Sequence, residues 1–295
     1  MLWTIATEDL IASWRQDFGI DVRPLFSGVD TIRMCRDSET GLIRFDPPVI
    51  GDSDFYTALR RFDWYHPASK EEFKVAAALV GPGDLVIDVG AGTGAFSAYV
   101  QHGRYLGLET DAAVAGACRA RGLDVHACSM AEYRARSDFE AADIVASFQV
   151  LEHVDRPGAF LADMAALVRP GGRVVIGVPD ADSYLPTLPD IVLNAPPHHV
   201  LWWREASLRA WMEKAGLTVE TVQRFPVEPW ERQLWWMATL AALGRPKDLP
   251  LFGRRLRTRK VISFILSWVL QIMPIPSDAR GSTLLAIARR PADAA

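Results

Sequence analysis

Asp88, Gly90, Ala91, Gly92 and Gly94 fall in "LVIDVGAGTGAF", residues 85–96, where an apolar run meets a glycine-rich turn. Glycines spaced this way let the backbone approach a nucleotide closely. Gly90, Gly92 and Gly94 read as G-x-G-x-G, and with Ala95 as G-x-G-x-x-A, so the glycines alone leave the nucleotide open. Asp88 bears on the choice. A carboxylate at this turn repels a pyrophosphate and attracts an ammonium group. Glu109 ends the next apolar run, "YLGLE". A carboxylate there can accept hydrogen bonds from both ribose hydroxyls of any adenosine-type ligand, without selecting one. Acid–base chemistry needs a group that titrates near neutrality, and histidine is the usual one. His153 lies in "SFQVLEHV", and His198 and His199 lie in "NAPPHHVLWW".

These residues need a scaffold. From Leu85 onward the runs "LVIDV", "YLGLE", "LDVHAC", "ADIVASF" and "RVVIGVP" alternate with helical stretches. That alternation implies right-handed β-α-β crossovers and a parallel sheet covered on both faces. The three histidines then follow the fourth and fifth strands, where such sheets open their sites. A helix over "EASLRAWMEKAGL" has a glycine stop, and "TVETVQ" and "STLLAIARR" are read as a final antiparallel ribbon. Before the series, Leu10, Ile11, Trp14 and Phe18 share one helical face, and "TIRMCR" and "LIRF" bracket "DSETG" as a hairpin. A proline-bearing connection, "DPPVIGDSDFY", precedes the aromatic cluster Phe62, Trp64, Tyr65 and His66, read as a packed junction. Three regions are expected: 1–69, a lid or scaffold; 70–222 with 281–290, a ligand-binding core; and 223–280, a helical insertion.

With "SFQVLEHV" after the fourth strand and "LVRPGGRVVIGVP" around the fifth, the chain resembles the class I S-adenosylmethionine-dependent methyltransferases, and their ubiquinone-biosynthesis-like branch in particular. The resemblance rests on four blocks in order: Asp88 to Gly94, Glu109, Val150 to Val154, and Pro170 to Gly172. It implies a Rossmann-like doubly wound α/β sheet, mainly parallel with an antiparallel last strand. It also implies S-adenosylmethionine as cofactor, bound by Asp88, Gly90, Ala91, Gly92, Gly94, Glu109, Ser129, Met130, Phe148 and Gln149. The family commonly places an acid after the third strand to meet the adenine amino group. Here "CSMAEY" offers the Ser129 hydroxyl and the Met130 N–H instead.

The implied reaction is O-methylation of a small or lipid-linked acceptor, with one of His198, His199 or His153 as base; an amine acceptor or an inactive scaffold are the alternatives. The resemblance places the P-P-H-H segment over the acceptor pocket, and its prolines are expected to hold the backbone extended. Glu152, His153 and the His198/His199 pair could instead gather a divalent metal, which some relatives use. Their spacing fixes no coordination geometry, so no metal is expected. The hairpin around Cys35 resembles a zinc-ribbon lead-in that has lost its other cysteines, so a metal-free remnant is expected there.

A net charge of -4 gives no general attraction to nucleic acid, and no nucleic-acid partner is expected. Three cysteines without C-x-x-C spacing suit a reduced, cytoplasmic setting, and "MLWTIATEDL", with no basic start before Glu8 and Asp9, is not expected to act as a signal peptide. Arg254, Arg255, Arg257, Arg259 and Lys260 precede the apolar run "VISFILSWVLQIMPIP". Two readings stand for residues 230–276: contact with a membrane surface at the inner membrane face, or a buried helical cap or subunit contact.

Overall fold

The computed structural model describes residues 2–65, 69–243, 252 and 256–292. His66, Arg254 and Arg255 lie outside the described residues. A short strand, β1 (Trp3–Ala6), leads into α1 (Thr7–Phe18), which buries Leu10, Ile11 and Trp14 and is closed by Gly19 in the left-handed conformation. The hairpin forms from β2 (Thr31–Arg36) and β3 (Ile43–Asp46). The connection after it is partly helical. Asp52 accepts from the Phe55 N–H at 2.9 Å and so caps α2 (Ser53–Leu59).

The alternating series begins after α3 (Glu71–Ala77). It runs β4 (Leu85–Val89), β5 (Arg104–Leu108), α4 (Ala112–Ala120), β6 (Val125–His126), α5 (Met130–Arg134), β7 (Ala142–Phe148), α6 (Pro157–Leu167) and β8 (Val168–Pro179). It continues through β9 (Leu201–Trp202), α7 (Glu205–Lys214), β10 (Thr218–Pro226), α8 (Arg232–Ala242), α9 (Arg257–Leu270) and β11 (Arg280–Arg289). Every residue of β4 is buried, as a central strand covered on both faces requires. The seven-stranded sheet has the order β10-β11-β8-β7-β4-β5-β6, parallel from β8 to β6 and antiparallel at β10 and β11. The run "LDVHAC" yields only the two-residue strand β6, because it is a sheet edge with a partner on one side.

The chain leaves β4 toward β5 on one side and reaches β7 on the other, so the strand order reverses between β4 and β7. A crevice opens at such a reversal, beyond the carboxyl ends of the two strands. The glycine turn follows β4 and the Val150–Val154 block follows β7.

A second sheet, β1-β2-β3-β9, ties the amino-terminal region to the segment after the histidine pair. The Phe45 N–H donates to the Val200 carbonyl at 3.0 Å, and β9 pairs with β3 through Ile43 and Trp202. The Pro-Pro-His-His segment is therefore anchored, and it turns where an extended run was expected. Both the His198 and His199 N–H groups point back to the Ala195 carbonyl, at 3.0 and 3.1 Å. The helix α8 packs Met237 and Ala238 against Tyr184 and Leu188 in the loop leading to this turn.

The helix α9 is turned inside out. Its buried residues are Ser263 and Ser267, whose hydroxyls donate to the Arg259 and Phe264 carbonyls at 2.7 Å, while Val261, Ile262, Phe264, Ile265, Leu266, Trp268 and Val269 are exposed. Its cations face inward. Lys260 pairs with Asp17, and Arg257 lies 4.0 Å from Asp190. Among the described residues, no helix is long and apolar enough to cross a membrane.

Candidate cofactor and acceptor site

The turn after β4 needs glycine for two reasons. Gly90 and Gly94 both adopt φ 72, and a Cβ would lie 2.5 Å from Val150 at Gly90 and 2.6 Å from Leu123 at Gly94. The turn is closed onto β5 by the Gly90 and Ala91 N–H groups, which donate to the Leu108 carbonyl at 2.8 and 3.1 Å. Glu109 stands over it, accepting from the Gly92 N–H at 3.0 Å and the Asp111 N–H at 2.9 Å. A carboxylate has about four acceptor positions, so two stay open for a ribose diol. Asp88 is buried beneath the turn and accepts from the Tyr105 hydroxyl at 2.9 Å. Burial raises its pKa to about 7, against the lowering effects of Tyr105 and Lys70. A cationic ligand beside Asp88 would offset that burial. The cradle fits a ligand with an ammonium end and a ribose.

The remaining cofactor candidates divide. The Ser129 hydroxyl is committed to capping α5, in a reciprocal box with Glu132, so less of it is free for an adenine than expected. The Met130 side chain is in the main core. The Phe148 ring packs edge-on against Phe73 and Phe96, 4.8 Å between centroids in each case, and so belongs to the core. Gln149, at φ 58, turns its amide to Glu72 at 3.2 Å. Sequence reasoning missed Glu72 and Lys70. Lys70, just before α3, lies 3.7 Å from buried Glu72, and its charge lowers the pKa values of Asp88 and Glu152. A Lys-x-Glu at the start of an apolar helix carries no signal of its own.

The three histidines do come together. One ring nitrogen from each of His153, His198 and His199 lies within 4.8 Å of the others. Their orientation is set by the loop that carries two of them. Nδ1–H of His153 donates to the His198 carbonyl at 2.6 Å, that of His198 to the Leu193 carbonyl at 2.7 Å, and that of His199 to Asn194 Oδ1 at 3.1 Å. Each Nε2 therefore carries a lone pair. The His198 Nε2 accepts from the Tyr65 hydroxyl at 3.0 Å. Those of His153 and His199 face Glu152 Oε1 at 3.7 and 4.0 Å. His198 is buried, whereas His153 and His199 keep 16% and 12% of their side chains exposed. Burial lowers the His153 pKa to about 4, partly opposed by its hydrogen bond to the His198 carbonyl. His198 and His199 fall well below 6.5, by burial and by the neighbouring rings. All three imidazoles are neutral at physiological pH.

Glu152 is buried among them, and neither carboxylate oxygen has a hydrogen-bond partner. Burial raises its pKa from 4.5 to about 8. Its native pKa lies above its unfolded one, so it supports the fold fully below pH 4.5 and loses that support as pH rises through about 8. Between pH 5.5 and 8.5 the loss is about 3 kcal/mol. In ligand-free protein, Glu152→Gln should therefore raise the melting temperature relative to wild type more at pH 8.5 than at pH 5.5. Differential scanning calorimetry at both values checks it, and a difference independent of pH would contradict the assignment.

Comparison with known proteins fits this geometry. Residues 63–222, more than half of the chain, match the family model described as "Methyltransferase domain". The chain is 27% identical over 177 residues to the ubiquinone biosynthesis O-methyltransferase of Xanthomonas axonopodis pv. citri, covering 54% of this chain and 73% of that one. It is 28% identical over 170 residues to the corresponding Xylella fastidiosa protein, with 51% and 68% covered. In fold it is similar to Burkholderia thailandensis 1,6-didemethyltoxoflavin-N1-methyltransferase, solved with S-adenosylhomocysteine, at a TM-score of 0.50 and 18% identity over 88% of this chain and 99% of that one. Open α/β sheets bind ligands at the strand-order reversal, and the glycine turn with its two acids lies there. The chain belongs to the methyltransferase-domain family and is an S-adenosylmethionine-dependent methyltransferase.

Proposed function

We propose that the chain methylates a hydroxyl oxygen of a small or lipid-linked acceptor, such as a sugar or glycan, a secondary metabolite or a phenolic quinone precursor. The observation that carries this reading is the group of neutral imidazoles with Nε2 lone pairs on the segments that follow β7 and β8. The cofactor supplies a methyl group that is already activated. The chain's own residues then align the acceptor, exclude water and take up the hydroxyl proton. Asp88 holds the ammonium end, the Gly90–Gly94 backbone the methionine stem, Glu109 the ribose, and Ser129 with the Met130 N–H the adenine. Phe148 and Gln149 contribute main chain at the crevice rim. His199 is the base, because the His198 lone pair is already taken by Tyr65.

Residues 1–69 act as the lid in this reading. The Tyr56 ring lies 5.9 Å from His153, and the Tyr65 ring 5.7 Å from His198. The described residues of 223–280 form the cap in this reading. Incubation of the chain with cofactor and an extract of cells lacking its gene, with the methyl group mapped by mass spectrometry, tests the reading. Methyl on oxygen supports it, and methyl on nitrogen contradicts it.

The exposed face of α9 favours a lipid-linked acceptor reached from a membrane surface at the cytoplasmic side. With Arg257 and Lys260 paired inward, apolar area rather than charge supplies the attraction. The chain should co-sediment with phosphatidylcholine vesicles, and the Ile265→Ser, Trp268→Ser double variant should do so at least tenfold less. No sedimentation of the wild type would remove the lipid contact and leave the small-acceptor reading standing.

A further inference from the structure

We propose that Arg60 is a positioning residue for methyl transfer: its ion pair with Asp111 latches residues 53–65 across the crevice and so governs how fast the cofactor enters and leaves. The inference rests on the reading that sets the ribose on Glu109. Three observations carry it.

First, the segment reaches both walls of the crevice. The sheet runs β8-β7-β4-β5 there, and the reversal lies between β7 and β4. Arg60, at the carboxyl end of α2, meets Asp111 beyond β5. On the other side, the Tyr56 ring stands 5.9 Å from that of His153 beyond β7, and the Tyr65 hydroxyl donates to His198 beyond β8 at 3.0 Å. Residues 56–65 thereby join segments that follow strands on either side of the reversal.

Second, the pair is wired to the ribose carboxylate. The Arg60 guanidinium donates to Asp111 Oδ2 at 2.6 Å and to Thr57 Oγ1 at 2.8 Å. The Asp111 N–H donates to Glu109 Oε1 at 2.9 Å, and the Gly92 N–H donates to Glu109 Oε2 at 3.0 Å. Asp111 is itself fixed, because its Oδ1 caps α4 through the Ala113 and Val114 N–H groups at 3.0 and 3.3 Å.

Third, the tie is polar and joins parts that pack separately. Phe55 and Leu59 of α2 lie in one core with Leu10, Trp14 and Phe45, whereas Leu108, next to Glu109, lies in the core of the large sheet. The Arg60 and Asp111 side chains keep 23% and 18% of their surface. Such a charge-assisted pair is strong, yet water reaches it, and it can open without breaking either core. When latched, it closes the ribose edge of the crevice and helps exclude water from the activated methyl group. Opening it precedes both cofactor entry and product release.

The test measures association of radiolabelled S-adenosylmethionine after rapid mixing, and its dissociation after a chase with excess unlabelled cofactor. Arg60→Ala and Asp111→Asn should each raise both rate constants by about tenfold, the scale of one hydrogen bond to a charged group. The dissociation constant should stay within about threefold of wild type, because a latch acts on both directions alike. Arg60→Lys should restore both rates to within about threefold. The double variant should be no faster than either single one, since both remove the same interaction. Asn still caps α4, and melting temperatures near the wild-type value establish that the variants fold. Wild-type rates in both single variants, or faster dissociation alone with affinity falling in step, would overturn the latch. Unchanged affinity in Glu109→Ala would instead overturn the ribose placement, which keeps the two failures apart.

Discussion

An Asp88→Ala variant is expected to show no saturable binding of S-adenosylmethionine in a calorimetric titration that saturates with wild type. The variant removes the carboxylate beneath the glycine turn and also leaves the hydroxyl of half-buried Tyr105 without its acceptor at 2.9 Å. Hydrogen bonds to charged groups contribute about 1.5–3 kcal/mol, so Asp88→Asn, which keeps an acceptor for Tyr105, should still lose about 10- to 150-fold in affinity. The same carboxylate sets a pH dependence. Burial puts its pKa at about 7, and only the ionised form attracts an ammonium group. Affinity should rise as pH increases through 7 and fall below it, and the Asn variant should lose this dependence. Wild-type affinity in either variant would remove Asp88 from the site.

The second large effect is expected at His199. With the acceptor saturating, His199→Ala should lower kcat by about 10²- to 10⁴-fold at neutral pH, the usual yield of acid–base catalysis. The affinity for S-adenosylmethionine should hardly change, since the ring faces Glu152 rather than the glycine cradle. His198→Ala should cost less in kcat and more in stability, because His198 packs against Trp14, Phe55 and Tyr65 and bonds the Tyr65 hydroxyl. Steady-state kinetics and thermal melts on the two variants separate these roles. Wild-type rates in both single variants would place proton removal elsewhere.

The parallel series was legible because buried strands write their burial as continuous apolar runs, and "LVIDV" is buried throughout. The glycine turn was legible for a related reason: Gly90 and Gly94 answer to backbone conformation and to contacts with Val150 and Leu123, which no other residue satisfies. What the sequence concealed depends on long-range placement. Neither β1 nor β9 carries an isolated strand signal, since two to four residues gain their identity only from pairing with β2 and β3. The histidines could be named individually. That Asn194, Leu193 and the His198 carbonyl would fix all three rings, and that Glu152 would be stranded between them, follows from a turn at Ala195 that the prolines suggested would be extended. Phe148 and Ser129 show the converse. Each stands where a cofactor contact is expected, and each is drawn into local structure, a ring cluster and a helix cap.

The most direct test of the whole account is a crystal structure of the chain grown with S-adenosylhomocysteine. The account predicts the ribose hydroxyls on the Glu109 carboxylate, the ammonium group beside Asp88, and the sulfur facing the crevice that His153 and His199 line. A ligand bound away from the Gly90–Gly94 turn, or a sulfur turned away from the three imidazoles, would contradict it.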